Sequence, residues 1–253
     1  MYTVVVSDRG QIRQLNEDFG EIIKNNNNQY LAVIADGMGG HKAGDVASFM
    51  AASILKEAFE KETNILTAED AANWLKVFIQ KANEEIFAHA RKNLSCEGMG
   101  TTIVAAIITE NFATIGHVGD SRCYLKNDSG FVQVTNDHSL VYELMRTGQI
   151  SKEEAEIHPM KNVVLRSVGT DEKVNIDIKT ITFEENDMLL LCSDGLSNKL
   201  NDEEMNQILE MNNSLEEKAN KLVALANEYG GEDNITVAIV HYSNTDNKDG
   251  DVA

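Results

Sequence analysis

Four aspartates that could ligate a metal ion follow or precede apolar stretches in turns far apart along the chain. Carboxylate oxygens are the ligands that hard cations such as magnesium and manganese prefer. A single Asp-Gly turn after a strand is an ordinary loop signal, so any one of these turns is weak evidence. Several of them together favour a metal enzyme whose site lies at strand ends. The four residues are Asp36, Asp120, Asp194 and Asp233.

Composition and charge limit the classes of partner. The chain has 253 residues, 42% of them hydrophobic, and a formal net charge of -19. These values fit a single globular domain, which we predict over residues 1–242. The negative charge argues against binding to nucleic acid or to anionic membrane surfaces, and favours proteins or small solutes as partners. An anionic substrate could still be bound if metal ions and a local arginine reversed the potential inside the cleft.

Cysteine usage and the N-terminus indicate a reducing compartment. The cysteines at 96, 123 and 192 are odd in number and show no Cys-x-x-Cys spacing, so we interpret them as reduced and structural. The chain shows no signal segment and no apolar stretch of bilayer-spanning length. We therefore expect a cytoplasmic protein.

Hydrophobic periodicity predicts grouped strands and grouped helices. Strands are predicted near 2–7, 18–24 and 29–35, and a second strand cluster near 102–135. Two long amphipathic helices are predicted between these clusters, at 43–61 and 68–91. Grouping of this kind favours an α+β fold.

Capping boxes predict three later helix starts, because a side-chain acceptor at the cap is followed three residues on by an acid. They are Ser151 with Glu154, Asn201 with Glu204, and Ser214 with Glu217. The polar tail from Ser243 to Ala253 is predicted to be disordered.

Seven short blocks, taken in order, resemble the bacterial branch of the metal-dependent protein phosphatases of type 2C. The resemblance spans nearly the whole chain. The blocks are SDRGQIRQLNED at 7–18, ADGMGGH at 35–41, GMGTT at 98–102, VGDSR at 118–122, DHSL at 137–140, CSDGL at 192–196 and GEDNIT at 231–236.

The resemblance implies a sandwich of two antiparallel sheets flanked by pairs of helices, with a helical flap at about 138–170 beside a metal site. It implies two Mn²⁺ or Mg²⁺ ions, a third more weakly held, and hydrolysis of phosphoserine and phosphothreonine in proteins by a hydroxide that bridges two ions. It also implies that the enzyme reverses a bacterial serine/threonine kinase.

The resemblance also assigns roles to individual residues. Asp36 would bridge the two ions and Gly37 would offer its carbonyl to one of them. Asp194 and Asp233 would complete the other, and Asp120 would belong to the third.

Three further residues receive roles around the ions from the same resemblance. Glu17 and Asp18 would hold waters close to the metals, and Arg13 would bind the substrate phosphate. A planar guanidinium suits phosphate because it donates two parallel hydrogen bonds.

One position departs from many eukaryotic relatives. They have a histidine directly after the Asp-Gly, whereas this chain has Met38, whose thioether cannot donate a proton. A metal-bound water is the simplest general acid, with His41 a weaker candidate. His117, within an apolar strand, is interpreted as a hydrogen-bonded structural residue.

Competing functions fit the chain less well. Cysteine-dependent phosphatases need an arginine six residues after the nucleophile, and here those positions are Thr102, Ser129 and Asn198. A dinucleotide site after the strand at 31–35 lacks the third glycine, because that position is Lys42. The remaining alternative is a catalytically silent relative that binds phosphoproteins.

Overall fold

Eleven β-strands form within residues 1–39 and 43–243, the parts of the chain that the computed structural model describes. Most consist of β-branched and other apolar residues, which favour the pleated, buried environment of a sheet. The strands are β1 (Tyr2–Asp8), β2 (Asp18–Lys24), β3 (Tyr30–Met38), β4 (Gly100–Thr101), β5 (Ile103–Ile108), β6 (Phe112–Val118), β7 (Arg122–Asn127), β8 (Gly130–Gln133), β9 (Asp177–Thr182), β10 (Met188–Cys192) and β11 (Ile235–His241).

Seven α-helices and one 3₁₀ turn complete the described part of the chain. The predicted capping boxes at Ser151, Asn201 and Ser214 are all present, and each satisfies backbone donors at a helix start. The helices are α1 (Gly44–Phe59), α2 (Ala68–Lys92), α3 (Leu140–Arg146), α4 (Lys152–Glu156), α5 (Asp194–Ser197), α6 (Asp202–Glu210) and α7 (Leu215–Glu228), with the 3₁₀ turn at Leu94–Cys96.

The strands pair into two antiparallel sheets. One sheet has the order β1-β11-β10-β7-β8, and the other has the order β2-β3-β5-β6-β9, with β4 paired to the end of β3. In the second sheet, Asp18 lies opposite Asp36. In the first sheet, Cys192 at the end of β10 lies opposite Val237 of β11, so the turns after β10 and before β11 meet at one end.

Three apolar layers hold the sandwich together. Side chains such as Ile34 and Leu189 meet between the two sheets. Helices α1 and α2 cover the outer face of the second sheet through residues such as Leu55 and Leu75. Helices α6 and α7 cover the first sheet through residues such as Leu222. This arrangement confirms the predicted α+β sandwich flanked by helix pairs.

The predicted elements are found close to their expected bounds. Strand β3 continues to Met38, three residues beyond the predicted end, because β4 pairs with Gly37 and Met38 and prolongs the ladder. The flap contains the two expected short helices, α3 and α4. The predicted disorder of the tail concerns residues 244–253 above all, which lie outside the described residues, and the single domain at 1–242 stays a prediction.

Across residues 1–39 and 43–243, every helix is too short or too polar to cross a bilayer.

Helix α2 anchors the chain where the flap rejoins the sheet. The fully buried Asn83 donates to the carbonyl oxygens of Asp171 at 2.9 Å and Glu172 at 3.2 Å, and its own carbonyl accepts from the N–H of Gly169 at 2.8 Å. Val168, next to Gly169, bonds to Thr101 of β4. Asn83 therefore fixes one leg of the flap.

Replacing Asn83 with alanine should destabilise the protein by about 1–3 kcal/mol, because it leaves buried backbone groups without partners. The free energy of unfolding in urea measures this. Asn73→Ala, at an exposed position of the same helix, should change it by no more than about 0.5 kcal/mol. Equal effects of the two substitutions would contradict the anchoring role.

Candidate active site

Five aspartates from both sheets converge at one end of the sandwich. Asp18 and Asp36 are cross-strand partners on β2 and β3. Asp194 begins α5 directly after β10, and Asp233 lies in the turn before β11. Asp120 lies in the turn between β6 and β7. The carboxyl group of Asp36 experiences the charge of the other four, so the structure brings the predicted ligands together.

Asp36 and Asp194 form the centre of this cluster. Their carboxyl groups lie close to each other, and Asn198 donates to Oδ2 of Asp194 at 3.0 Å. The backbone of Asp36 is held by Thr102, whose Oγ1 accepts from the Asp36 N–H at 3.1 Å and whose N–H donates to the Asp36 carbonyl at 2.8 Å. Sequence reasoning gave Thr102 no role.

Asp18 joins the two sheets at this end. Ser193, at the end of β10, donates its hydroxyl to Oδ2 of Asp18 at 2.6 Å and accepts from the N–H of Thr236 at 2.9 Å. The second carboxylate oxygen of Asp18, Oδ1, is buried without a hydrogen-bond partner, as is Oδ1 of Asp194. Buried polar atoms normally have partners, so these two oxygens are available to bind a cation.

The same carboxyl groups have unusual proton affinities. Burial raises the pKa of Asp18 and of Asp120 to about 7, and the negative charge of Asp194 adds to both shifts. Burial, followed by the charge of Asp233, raises the pKa of Asp194 to about 6. Burial and the charges of Asp18 and Asp194 hold the pKa of Asp36 well above its ordinary range. Without cations, the cluster must hold protons to limit its own repulsion.

Glu17 and Gly37 lie where three segments approach closely. The Glu17 carbonyl accepts from the N–H of Gly37 at 3.1 Å and from the Ser48 hydroxyl at 2.6 Å, and its Oε1 accepts from the Gly44 N–H at 3.2 Å. A Cβ at position 37 would lie 2.1 Å from the Gly44 carbonyl oxygen. Only glycine fits there, so the backbone beside Asp36 is tightly enclosed.

Arg13 lies at the rim of the cluster. Its Nη2 donates to Oδ2 of Asp233 at 2.7 Å, its Nε donates to the Glu232 carbonyl at 3.3 Å, and its side chain is 48% exposed. The guanidinium is thus next to a predicted metal ligand and open to solvent. Its contact with a substrate phosphate stays a prediction.

Asn234 organises this end of the structure, and sequence reasoning missed it. Its amide donates to the carbonyls of Arg9 at 2.8 Å and Leu15 at 2.9 Å, and its Oδ1 accepts from the Glu17 N–H at 2.8 Å. It thereby ties the segment that carries Arg13 to the turn that carries Asp233. An asparagine directly after an acidic turn residue and before a strand is the available sequence signal.

A partly buried ion pair lies next to the turn that carries Asp120. Arg122 donates to both oxygens of Asp137, with distances of 2.7 and 3.0 Å, and Gln133 donates to Oδ1 of Asp137 at 2.9 Å. Burial raises the pKa of Asp120, and the positive charge of Arg122 offsets part of that rise. This pair offsets part of the negative charge of the site.

The donor set fits divalent cations. Asp36, Asp120, Asp194 and Asp233, together with the Gly37 carbonyl, offer oxygen atoms only, which suits magnesium or manganese better than softer metals. The two unpartnered carboxylate oxygens and the raised pKa values of the acids are the signs expected of ligands that lack their cation. The acidic cluster is therefore the candidate metal centre.

A second group of metal-ligand type lies elsewhere: His117, His138 and Asp177 have ligand atoms within 4.8 Å of one another. His117 Nε2 donates to the carbonyl of Asn136 at 2.8 Å, as expected for a structural histidine. His138 Nδ1 accepts from a backbone N–H, so its Nε2 carries the proton and offers no lone pair. Arg166 Nη1 also lies 3.2 Å from this nitrogen, but with Nε2 protonated this is a contact between two donors, and Arg166 bonds instead to Asp177 at 3.1 Å. Hydrogen bonding accounts for this group.

The remaining candidates from the sequence are the three cysteines, Met38 and His41. The three cysteines are free and buried, and burial raises the pKa of Cys192 to about 12, which makes it a poor nucleophile. Met38 pairs with Gly100 in the β3–β4 ladder. His41, the weaker candidate for a general acid, lies outside the described residues.

Comparison with known proteins decides the family. The profile described as "Protein phosphatase 2C" matches residues 9–228. The chain belongs to this family. It is 49% identical over 240 residues to the "Serine/threonine phosphatase stp" of Listeria monocytogenes, covering 95% of each chain.

Solved structures agree with the family. The serine/threonine phosphatase Stp1 from Staphylococcus aureus superposes with a TM-score of 0.91 at 39% identity, covering 95% of this chain and 94% of that one. The catalytic domain of the phosphatase PstP, solved with 2 manganese ions, superposes with a TM-score of 0.83 at 33% identity, covering 94% of this chain and 96% of that one. The predicted fold class and enzyme class are thereby confirmed, whereas the roles of single residues stay predictions.

Replacing the Asp120 carboxylate with an amide should stabilise the cation-free protein more at high pH than at low pH. Asp120 has a pKa near its ordinary 3.8 when unfolded and about 7 when folded. Between these values the folded state binds more protons than the unfolded state, so this group lowers stability progressively as pH rises through the window.

Thermal unfolding in EDTA at about pH 5 and about pH 7.5 tests this window. Asp120→Asn should raise the midpoint at both values, and more at the higher one. Manganese should narrow the difference between wild type and variant. An equal midpoint change at both pH values would contradict the shifted pKa.

Proposed function

We propose that this chain is a manganese- or magnesium-dependent protein phosphatase that hydrolyses phosphoserine and phosphothreonine in proteins. The observation that carries the proposal is the convergence of five carboxyl groups at the end of the sandwich, two of them with buried oxygens that lack a partner. Membership of the protein phosphatase 2C family supports it. So does the presence of 2 manganese ions in the PstP structure.

The cations would be held by groups from both sheets. We assign Asp36, the Gly37 carbonyl, Asp194 and Asp233 to two ions, and Asp120 to a weaker third. When bound, the cations lower the pKa of water and stabilise charge on the attacking and leaving oxygens. The protein's contribution is a rigid, enclosed set of oxygens that is fully formed before substrate arrives.

Side chains at the rim would handle the substrate and its waters. We assign Arg13 to the phosphoryl group, because its exposed guanidinium can donate two parallel hydrogen bonds to phosphoryl oxygens. Glu17 and Asp18 would accept hydrogen bonds from waters of the site. Asn234 keeps these residues in register by tying their segment to the β11 turn.

The flap would receive the protein part of the substrate. A cavity of about 390 Å³ opens beside Asp120 and Asp194, between the flap and the start of α6. Tyr142 and Met145 of the flap give it apolar walls. Its basic residues are Arg122, Lys152, Lys161 and Lys199. Arg122 is paired with Asp137 and Lys199 with Glu232, so Lys152 and Lys161 of the flap are the cavity cations best placed to meet acidic neighbours of a phosphorylated residue.

The wider context is proposed by analogy with the family. We infer that the substrates are proteins phosphorylated by a bacterial serine/threonine kinase, and that the enzyme acts in the cytoplasm. Fold-level analogy supports both inferences.

The first experiment measures phosphate released from a phosphothreonine peptide, with manganese and after chelation. Release that depends on manganese is expected. Folded protein that binds the peptide but releases no phosphate in either condition would favour the catalytically silent phosphoprotein-binding alternative.

Asp194→Ala and Asp36→Asn should each abolish turnover while the fold persists. Loss of a direct ligand should exceed the roughly 10–100-fold effect typical of residues around a metal's ligands. Phosphate release and manganese stoichiometry measure the two effects. Asp128→Asn, in the exposed turn between β7 and β8, serves as control. Normal manganese content together with normal activity in Asp194→Ala would refute the assignment.

Reversing two flap charges should weaken binding of acidic substrates. The double variant Lys152→Glu/Lys161→Glu should raise KM about tenfold for a phosphothreonine peptide with acidic neighbours, at an unchanged kcat, because each exposed pair contributes up to about 1 kcal/mol. Lys61→Glu/Lys76→Glu changes the net charge equally at two exposed positions, after α1 and on α2, that do not line the cavity, and should leave KM unchanged. Equal effects of both double variants would attribute the change to net charge and not to the cavity.

A further inference from the structure

His138 is joined to Gly119 by hydrogen bonds in both directions. The N–H of Gly119 donates to Nδ1 of His138 at 3.1 Å, and the N–H of His138 donates to the carbonyl of Gly119 at 2.9 Å. The imidazole is only 5% exposed. Gly119 directly precedes Asp120, so the contact lies one residue from a carboxylate of the candidate metal centre.

The surroundings of His138 fix its tautomer. Because Nδ1 accepts from Gly119, the neutral ring carries its proton on Nε2, which lies 3.3 Å from Oδ2 of Asp177. Arg166 donates to the other oxygen of Asp177 at 3.1 Å. The ring also stacks on His117, with centroids 4.7 Å apart. The contacts of the ring with Asp177 and His117 thus fix its orientation, and with it the position of Nδ1.

The turn that carries Asp120 is also confined by contacts with Thr102. Gly119 has a φ of +108°, and a Cβ there would lie 2.6 Å from side-chain atoms of Thr102. Thr102 Oγ1 lies 2.7 Å from the hydroxyl of Ser121, on the other side of Asp120. His138 therefore holds the residue before Asp120, and Thr102 holds the residue after it.

His138 also belongs to the base of the flap. Its carbonyl accepts from the N–H of Leu165 at 2.7 Å, and Ser139 forms an isolated bridge with Val164. The two legs of the flap meet at this residue. A change in the flap base is therefore linked through one side chain to the turn that carries Asp120.

We propose that His138 is a positioning residue that sets the place of the Asp120 carboxylate through the Gly119 N–H···Nδ1 hydrogen bond and so couples the flap to the weakest cation site. The inference rests on the proposed function in that Asp120 is taken as a ligand of the third ion. The hydrogen bond itself can be measured without cation or substrate.

Two substitutions test the roles of the two ring nitrogens of His138 one at a time. In His138→Asn the side-chain carbonyl can occupy the position of Nδ1 and accept from Gly119, whereas in His138→Gln the amide reaches the position of Nε2 and contacts Asp177 instead. We expect His138→Gln to weaken manganese binding at the third site by about tenfold or more, as is typical of residues that orient a metal ligand. His138→Asn should recover most of that affinity, and calorimetric titration with manganese measures both.

Backbone amides supply a readout that needs no activity. Hydrogen exchange of the Gly119 and Asp120 amides in cation-free protein should be faster in His138→Gln than in wild type and close to wild type in His138→Asn. A nuclear magnetic resonance coupling across the hydrogen bond, between the Gly119 nitrogen and His138 Nδ1, tests the contact in wild type even if a variant fails to fold. Asp177→Asn, which keeps an acceptor facing Nε2, is the control and should leave the Gly119 amide protected.

The outcomes distinguish this inference from the proposed function. Equal manganese affinity and equal Gly119 exchange in His138→Gln and wild type would overturn the positioning role. Absence of the trans-hydrogen-bond coupling in wild type would also overturn it. A wild-type protein without phosphatase activity, but with the expected exchange difference, would refute the proposed function and leave the Gly119 contact established.

Discussion

Mutual repulsion among buried carboxyl groups is the constraint on which this structure depends. Four aspartates at one end of the sandwich have pKa values raised by burial, and each experiences the charge of another. Such a cluster opposes folding unless protons or cations neutralise it. The surrounding apolar layers must therefore supply enough free energy to hold the acids together. The two-sheet sandwich meets this requirement, because its apolar layers extend up to the acids themselves, with Ala35 beside Asp36 and Cys192 two residues before Asp194.

Directional contacts replace apolar packing where the two sheets meet the acids. Ser193, at the end of one sheet, bonds to Asp18 on the other, and Asn234 bonds to the backbone of Glu17. Apolar side chains tolerate small sliding, whereas hydrogen bonds fix distance and angle. The polar contacts therefore set the relative register of the two sheets at the site to within the tolerance that a metal centre requires. The glycines beside the acids serve the same end, because the enclosed backbone at Gly37 leaves no room for a side chain.

The local part of this structure was predictable from sequence, and the long-range part was not. Capping boxes such as Ser214 with Glu217 act within four residues, so their pattern is sufficient. The strands before Asp36 and Asp194 were predictable from apolar runs, and the resemblance to a family added their order and proposed roles. The contacts of Asn234, Ser193 and His138 depend on which turns meet in space. Ser193 and Asp18 are 175 positions apart, and neither residue type nor spacing announces that pair.

The net charge of the chain and the charges around the flap cavity have opposite effects on an anionic substrate. A net charge of -19 repels phosphorylated proteins at long range, yet the family acts on anionic groups. Screening resolves the conflict, because at physiological ionic strength charges further apart than about 8 Å interact weakly. The cavity beside Asp194 is lined by Lys152, Lys161, Lys199 and Arg122, and any cations held by the acids would add to their charge. We therefore expect the charges around the cavity, those of Lys152 and Lys161 on the flap among them, to select which phosphorylated segments bind, while the acidic remainder of the surface discourages anions elsewhere.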